Sequence, residues 1–396
     1  MLLSLFIPLL CVLMLAPCAS AQQPKLMTRQ TSDYFMTASA LFLYVDADDQ
    51  EGFAETWALV KQTLGEIEDA VSVSIPDSDI SRFNELACGE EIRISDVTAN
   101  LLQIAMDVYA ITGGLYDPTV YPLVDLWGFS PRFNTNTYVP VMPYDRIYEN
   151  GRLPLPDPRY IDALLPLVGL QGIGLRRENG VCYLRKDTPS VFIDGVEIKA
   201  QLDLGGIAKG YACDRVLALL RDRGYTMGHF VCGGSSMALL SRPDGDGAYA
   251  ITLRKPRRGE GDASHYATLR ARETTLSTSG DYSHSFVSDG IVYCHIIDPR
   301  TGYPMNMPDE AGVQHGVASA TLLCPSAAYG DALTTALCIL GPQEAEAFLK
   351  SIPLCTVVLA VYTSGEETLQ VLTNAAPGEL TLDDPAYQFA LQQGDE

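Results

Sequence analysis

LDLGGIAKGYACDRVLALLRDRGY, residues 202–225, carries the fold class in one stretch. An apolar run with Asp203 reads as a strand end. Gly205 and Gly206 follow as a turn, and a helix is predicted from Ala208 to Arg223. Strand, glycine turn and helix N-terminus together form the elementary unit of mixed α/β proteins. The same unit presents backbone N–H groups to an anion, and the helix dipole favours negative charge there. Lys209 in the first turn is poorly placed at a positive helix end unless an anion sits beside it. The stretch is neither a Walker A sequence nor a GxGxxG fingerprint. A tight turn with a solvated lysine satisfies it equally well.

Outward from this unit, strands and helices alternate without a regular βα repeat. Upstream, YFMTASALFLYVDA reads as a strand. It leads into EGFAETWALVKQTLGEIEDAVS, an amphipathic helix with Phe53, Trp57, Val60, Leu64 and Ile67 on one face. SIPDSDISRFNEL is a turn and a short helix capped by Ser78 or Asp79. VTANLLQIAMDVYAITGG is a helix stopped by Gly113 and Gly114. Residues 130–160, rich in Pro, Asn, Tyr and Arg, read as a long surface excursion, and IDALLPLVGL as a helix. GIGLRRENGVCYLRKD and VFIDGVEIKAQLDL are predicted as strands around Asn179-Gly180 and Asp194-Gly195 turns. The fold class is mixed α+β, neither a barrel nor a doubly wound sheet.

The 396 residues are 47% hydrophobic and carry a formal net charge of −22. That balance argues against a nucleic-acid partner, which needs basic patches. It leaves room for a nucleotide held by backbone amides and a metal ion. The first 21 residues, MLLSLFIPLLCVLMLAPCASA, form a signal peptide and predict export. Ala19-Ser20-Ala21 fits cleavage after Ala21. Leu15-Ala16-Pro17-Cys18 resembles a bacterial lipobox, with Cys18 as a lipidated N-terminus anchoring the protein to a membrane. Residues 22–32 read as a polar tether, and residues 33–390 as one large domain. Eight cysteines lie beyond the leader without a CxxC pair. Buried free thiols are expected, although export permits disulfides.

Four further clusters are polar enough for chemistry. In YGDALTTALCILG, Asp331 and Thr335 stand at i and i+4 on one helix face. Carboxylate plus hydroxyl suits Mg²⁺; it suits equally a capping aspartate with the threonine bonded back to a carbonyl. TGGLYDPTVYPLVDLWGF and ETTLSTSGDYSHSF offer hydroxyls and loop amides for phosphate or ribose, or ordinary turns. YCHIIDPRTGYP fixes His295, Asp298 and Thr301 on a turn stiffened by Pro299, Gly302 and Pro304.

In this order, PDSDISRFN, GLYDPTVYPLVDLWGF, LDLGGIAKGYACD, Gly233-Gly234, STSGDY, HIIDPRTGYP and GDALTTAL resemble the ApbE family, the FAD:protein FMN transferases. The resemblance implies a single T-fold-like α+β domain, periplasmic or at the cell envelope. FAD is the implied substrate and Mg²⁺ the cofactor. A Thr or Ser hydroxyl of an acceptor subunit in a membrane redox complex would attack the FMN-side phosphorus, and AMP would leave. Hydrolysis of FAD to FMN and AMP is the alternative, a non-enzymatic flavin-binding protein the next. By the same resemblance Asp331, Thr335 and the Gly206 carbonyl would hold the metal. Lys209 would lie near the diphosphate. Met36, Leu115, Tyr116, Asp117, Asp203 and Ile297 would contact FAD. His295 is the candidate for steering or deprotonating the attacking hydroxyl, on an ordinary pKa near neutrality. Met36-Thr37-Ala38 stands where the family commonly has Met-Gly-Thr, and Ser235-Ser236 follows the glycine pair.

Overall fold

The computed structural model describes residues 24–46, 49–133, 138–149, 153–256, 264–366 and 368–390. The expected leader, with Cys18, lies outside them. No helix among the described residues is long and apolar enough to cross a membrane.

A nine-stranded sheet is the backbone of the molecule. Its strands are β1 (Lys25–Tyr34), β2 (Thr37–Val45), β3 (Gly228–Cys232), β4 (Ser236–Leu239), β5 (Thr275–Gly280), β6 (His315–Cys324), β7 (Thr356–Thr363), β8 (Leu369–Thr373) and β9 (Tyr387–Phe389). They lie side by side in chain order, antiparallel except for the parallel pair β8–β9. Strand β7 shows why the sheet is central. Val357, Leu359 and Val361 enter the main core on one face, while Val358 and Ala360 enter a second core on the other. The first face is covered by helices α1 (Gln50–Val71), α2 (Asp96–Ile111), α3 (Gly205–Asp222) and α4 (Ala327–Ile339). The second is covered by a three-stranded sheet of Tyr249–Arg254, His265–Ala271 and Leu380–Leu382. The mixed α/β architecture read from the sequence is the one observed.

Local signals held where local chemistry decides. The apolar face of α1 is buried as its 3.6-residue spacing demands. Each such Leu, Val or Phe contributes about 1.5–3 kcal/mol on burial. Ser78 caps the helix Asp79–Asn84, its side chain accepting the Ser81 N–H at 3.0 Å. Both predicted hairpin turns form, with positive φ at Asn179, Gly180, Asp194 and Gly195.

Four expectations need correction. Residues 25–32, expected in a tether, belong to edge strand β1. Its residues are mostly exposed, so no hydrophobic alternation marks it. The supposed single strand from Tyr34 is the end of a hairpin, turning at Phe35 and Met36 with φ of 53° and 49°. These residues lack Asn-Gly chemistry; Glu68 of α1 holds the turn by accepting the Phe35 N–H at 2.8 Å. The helix at IDALLPLVGL stops at Leu164 and tightens to a 3-10 turn at Leu165–Leu167, because Pro166 has no N–H to continue it. The run before Gly205 is not a strand. The Leu202 N–H donates to Asn84 Oδ1 and the Asp203 N–H to the Pro118 carbonyl, so no ladder forms.

Among its described residues the excursion after Trp127 has no long regular element before Pro158, as expected, and those residues are tied down. Arg132 bridges Asp125 and Asp145, and the Trp127 Nε1–H donates to the Gly302 carbonyl at 2.8 Å. Under it lies a satellite core containing Leu123, Trp127, Tyr144, Ile161, Tyr293 and Ile297.

Candidate active site

The sheet, the α3–α4 pair and the hairpin tip converge on a cavity of about 440 Å³. That is within the usual range for a small-molecule site. Its floor comes from α3 and α4, which pack unusually closely. A Cβ at Gly210 would lie 2.2 Å from the Ala327 carbonyl oxygen, so only glycine permits the approach. The reward of that approach is a direct link. The Gly210 N–H donates at 2.7 Å to Asp331 Oδ2, and the Ser236 hydroxyl donates at 2.8 Å to Asp331 Oδ1. Asp331 is buried, and desolvation raises its pKa against the pull of Lys209 and these donors.

Gly206, Asp331 and Thr335, the expected metal ligands, all line this cavity. Three features make them fit a hard cation such as Mg²⁺. The donor set is all oxygen: carboxylate, hydroxyl and backbone carbonyl. The Gly210 N–H, which in a regular helix serves the Gly206 carbonyl, is engaged by Asp331. The carboxylate is desolvated, a state that a bound cation relieves. Among the described residues no group of three His, Cys, Asp or Glu side chains stands ready for a metal. A site with one carboxylate depends on other oxygens. The alternative structural reading of this motif is half realised. Thr335 Oγ1 does donate to the Asp331 carbonyl at 3.1 Å, but the cap of α4 is Ser326, not Asp331.

Lys209 also lines the cavity, on the same helix one turn from Gly205, whose carbonyl accepts from its Nζ at 3.4 Å. Its charge bears on Asp203, Asp331 and His295. Opposite it, Gly233 and Gly234 turn with φ of 67° and 68°. A Cβ at Gly233 would come within 3.0 Å of Lys209 Cδ, so the turn lies directly over the lysine stem. The helix begins at Gly205, three residues earlier than expected, which places Lys209 in the second turn.

His295 lines the cavity, and its Nδ1 is buried without a hydrogen-bond partner. Burial, with His284 and Lys209 nearby, lowers its pKa to about 4, opposed only by a hydrogen bond to the Ser283 backbone. The imidazole is therefore neutral at pH 7, its pKa held below the ordinary near-neutral value by enclosure and the neighbouring charges. Met36, at the tip of the β1–β2 hairpin, is 82% exposed and also lines the cavity.

The remaining expected contacts lie one layer back. Asp203 accepts the Gly205 N–H at 2.8 Å and shapes the turn. Tyr116 is buried against Gly206, its hydroxyl unpartnered and surrounded by the charges of Asp203, Asp331 and Asp117. Leu115 is in the main core. Asp117 is buried and accepts the Thr119 N–H at 2.9 Å and Thr119 Oγ1 at 2.5 Å; burial lifts its pKa to about 6. The Ile297 side chain points into the satellite core, and its neighbours His295 and Ile296 line the cavity instead.

Sequence reasoning did not single out Arg254, whose guanidinium lies 5.4 Å from the Tyr282 ring centre at the cavity wall. Arg254 ends a strand of the three-stranded sheet, and no local motif marks it. Only the folding of that sheet over β5 brings it here. Thr321 of β6 was missed for the same reason; its hydroxyl pairs with Thr278 at 2.9 Å.

Comparison with known proteins finds relatives over most of the chain. The FAD:protein FMN transferase of Escherichia coli (strain K12) is 28% identical over 300 residues, covering 75% of this chain and 74% of that protein. The enzyme of the same name from Vibrio cholerae is 29% identical over 314 residues, covering 78% and 82%. Among solved structures, a mutant form of the flavin transferase ApbE from Vibrio cholerae superposes with a TM-score of 0.67 at 25% identity, covering 89% of this chain and 98% of that one. An ApbE protein from Thermotoga maritima gives a TM-score of 0.66 at 23% identity, covering 85% and 94%. The family model described as ApbE family matches residues 36–359, well over half of the sequence, and the chain belongs to that family.

Proposed function

We propose that the protein is an FAD:protein FMN transferase that uses Mg²⁺ and releases AMP. The observation that carries the reading is the convergence of Gly206, Asp331 and Thr335 with Lys209 and His295 on one cavity. Similarity to transferases of that name supports it. Asp331, Thr335 and the Gly206 carbonyl would hold the metal, which would supply positive charge to offset that of the diphosphate as the P–O bond breaks. Lys209 faces the same phosphates as a second cation. The Gly233–Gly234 turn and the Thr278 and Ser279 hydroxyls supply neutral donors around them. The acceptor hydroxyl oxygen bonds to the FMN-side phosphorus and releases its proton to solvent, the diphosphate bridge breaks, and AMP leaves with the bridging oxygen. His295 is neutral and weakly basic. Its low basicity favours orienting the hydroxyl through a hydrogen bond over early removal of its proton.

Met36 forms part of the flavin-nucleotide wall, with Leu115, Tyr116, Asp117, Asp203 and Ile297 supporting it from behind. The apolar leader supports export to the cell envelope, with anchoring through Cys18 or release after Ala21. The acceptor is a redox-complex subunit with a Thr or Ser in an Asp-x-x-(Ser/Thr)-Gly-Ala-(Thr/Ser) motif. The test combines mature protein, FAD, Mg²⁺ and a fragment bearing that motif, read by intact mass and nucleotide chromatography. A Mg²⁺-dependent gain of one FMN on the fragment, with AMP released, is expected. Free FMN and AMP with an unmodified fragment would convert the reading to FAD diphosphatase; unchanged FAD would remove the enzyme reading.

A further inference from the structure

The eight cysteines beyond the leader are all reduced in this structure, and all but Cys88 are buried. Three neighbour pairs occur among them: Cys213 with Cys232, Cys294 with Cys338, and Cys324 with Cys355. Only the last is set face to face by the sheet. Strands β6 and β7 pair Leu323 with Thr356, so the next positions outward, Cys324 and Cys355, oppose each other at the end of the ladder. They do not exchange backbone bonds. The Cys355 N–H goes to the Ile352 carbonyl, and the Cys324 carbonyl accepts from the Thr275 hydroxyl. Opposed residues without that exchange are the closer kind of antiparallel pair, with Cα atoms roughly 4.5 Å apart, at the short end of the disulfide range. The two thiols lie close enough that each shifts the other's ionisation.

Access separates this pair from the others. Cys355 follows the exposed Ser351–Leu354 turn, in which Leu354 is 84% exposed. Cys213 and Cys232 are wholly buried around α3 and β3, and Cys232 already accepts from Ser39. Within the pair, the neighbouring Cys355 S–H holds the Cys324 thiol below the ordinary cysteine range, which favours Cys324 as the attacking sulfur.

We propose that Cys324 and Cys355 are a redox site that closes to a cross-strand disulfide. The reagent is a disulfide, small or protein-borne. The Cys324 thiolate attacks one of its sulfurs and expels a thiolate; Cys355 sulfur, losing its proton to solvent, then attacks the mixed disulfide at Cys324 and expels the second. Two cysteine thiols are oxidised and one external disulfide is reduced to two thiols. The bond ties β7 to the residue that precedes Pro325 and Ser326, the latter capping α4, the helix that carries Asp331 and Thr335. The bridge therefore fixes the base of the catalytic helix without occupying the cavity.

The test treats folded full-length protein with oxidised glutathione, blocks residual thiols under denaturing conditions, and maps peptides without reduction. A peptide joining Cys324 to Cys355, formed ahead of any other pairing and lost in Cys324→Ser and Cys355→Ser, is expected. So is a rise in Tm on oxidation, on the order of 5 °C, seen in wild type and absent in both variants. Recovery of both cysteines fully blocked, a lasting glutathione adduct on Cys324, or preferred pairing with another cysteine would overturn the proposal. None of these readouts depends on turnover, so the proposal stands or falls apart from the transferase reading.

Discussion

Asp331→Asn separates a catalytic carboxylate from a helix staple. The side chain has two donors aimed at it, the Gly210 N–H at 2.7 Å and the Ser236 hydroxyl at 2.8 Å. Asparagine keeps the shape. Its Oδ1 can accept from Gly210, and its NH₂ can donate to Ser236 Oγ once that hydroxyl turns away. The stability cost is the lost charge assistance of two hydrogen bonds, about 1 kcal/mol each, offset by removal of a desolvated charge. Net stability should change by no more than ~2 kcal/mol in either direction. Turnover is a different matter. A neutral amide removes the only side-chain charge in the proposed metal set, and a loss of about a thousandfold corresponds to ~4 kcal/mol of transition-state stabilisation. AMP release from FAD with Mg²⁺ and acceptor is the assay, with thermal melting alongside. Asp331→Ala supplies the contrast. It should lose turnover to the same extent but destabilise by a further ~2–5 kcal/mol, because both donors are left unpaired. An Asn variant that turns over within about tenfold of wild type at equal Mg²⁺ would reduce Asp331 to a link between α3 and α4.

Further outcomes follow from other positions. Lys209→Ala should raise the KM for FAD about tenfold or more with melting unchanged; an unaltered KM would remove the phosphate role of this cation. Gly210→Ala should destabilise by about 1–3 kcal/mol or more in urea unfolding, since its Cβ meets a backbone carbonyl that cannot turn aside. His295 has a folded pKa of about 4, below its ordinary 6.5, so the unfolded chain binds more protons between those values. Its contribution to stability is therefore complete above pH 6.5 and lost as pH falls toward 4. His295→Gln should flatten that segment of the melting profile, and kcat/KM of the wild type should show no inflection near 6.5 from this residue. Asp117 shifts the other way, from 3.8 to about 6. Its folded form binds the extra proton, so wild-type stability should decline by up to ~3 kcal/mol as pH rises from 3.8 past about 6. Asp117→Asn should lose that decline, and an identical slope in both proteins would refute the burial argument.

Legibility in the sequence followed the range of the forces involved. The α1 helix, the Ser78 cap and the Asn179-Gly180 and Asp194-Gly195 turns were readable because each is settled within a few residues. The β1 strand was not, because an edge strand packed on one neighbour needs no apolar alternation. Nor was the Phe35-Met36 turn, which is held by a side chain 33 residues away. The cavity shows the same division. The motif containing Asp331 and Thr335 was visible as an i, i+4 pair, and Lys209 as a cation after a glycine turn. The contact that fixes Asp331 lies 121 residues away at Gly210, and Arg254 arrives with a separate sheet.

Residue types and short spacings by themselves determined the mixed α/β class, the likeness to the ApbE family, and which oxygens could serve a cation. The tertiary structure alone decided which of those residues share a cavity and what charge they carry there. Expected contacts such as Leu115 and Ile297 were drawn into the cores, and His295 was made neutral by enclosure beside Lys209 and His284. Spacing along a chain fixes neighbours on one element. Burial and the electric field at a site are sums over every element packed around it, and those exist only once the chain has folded.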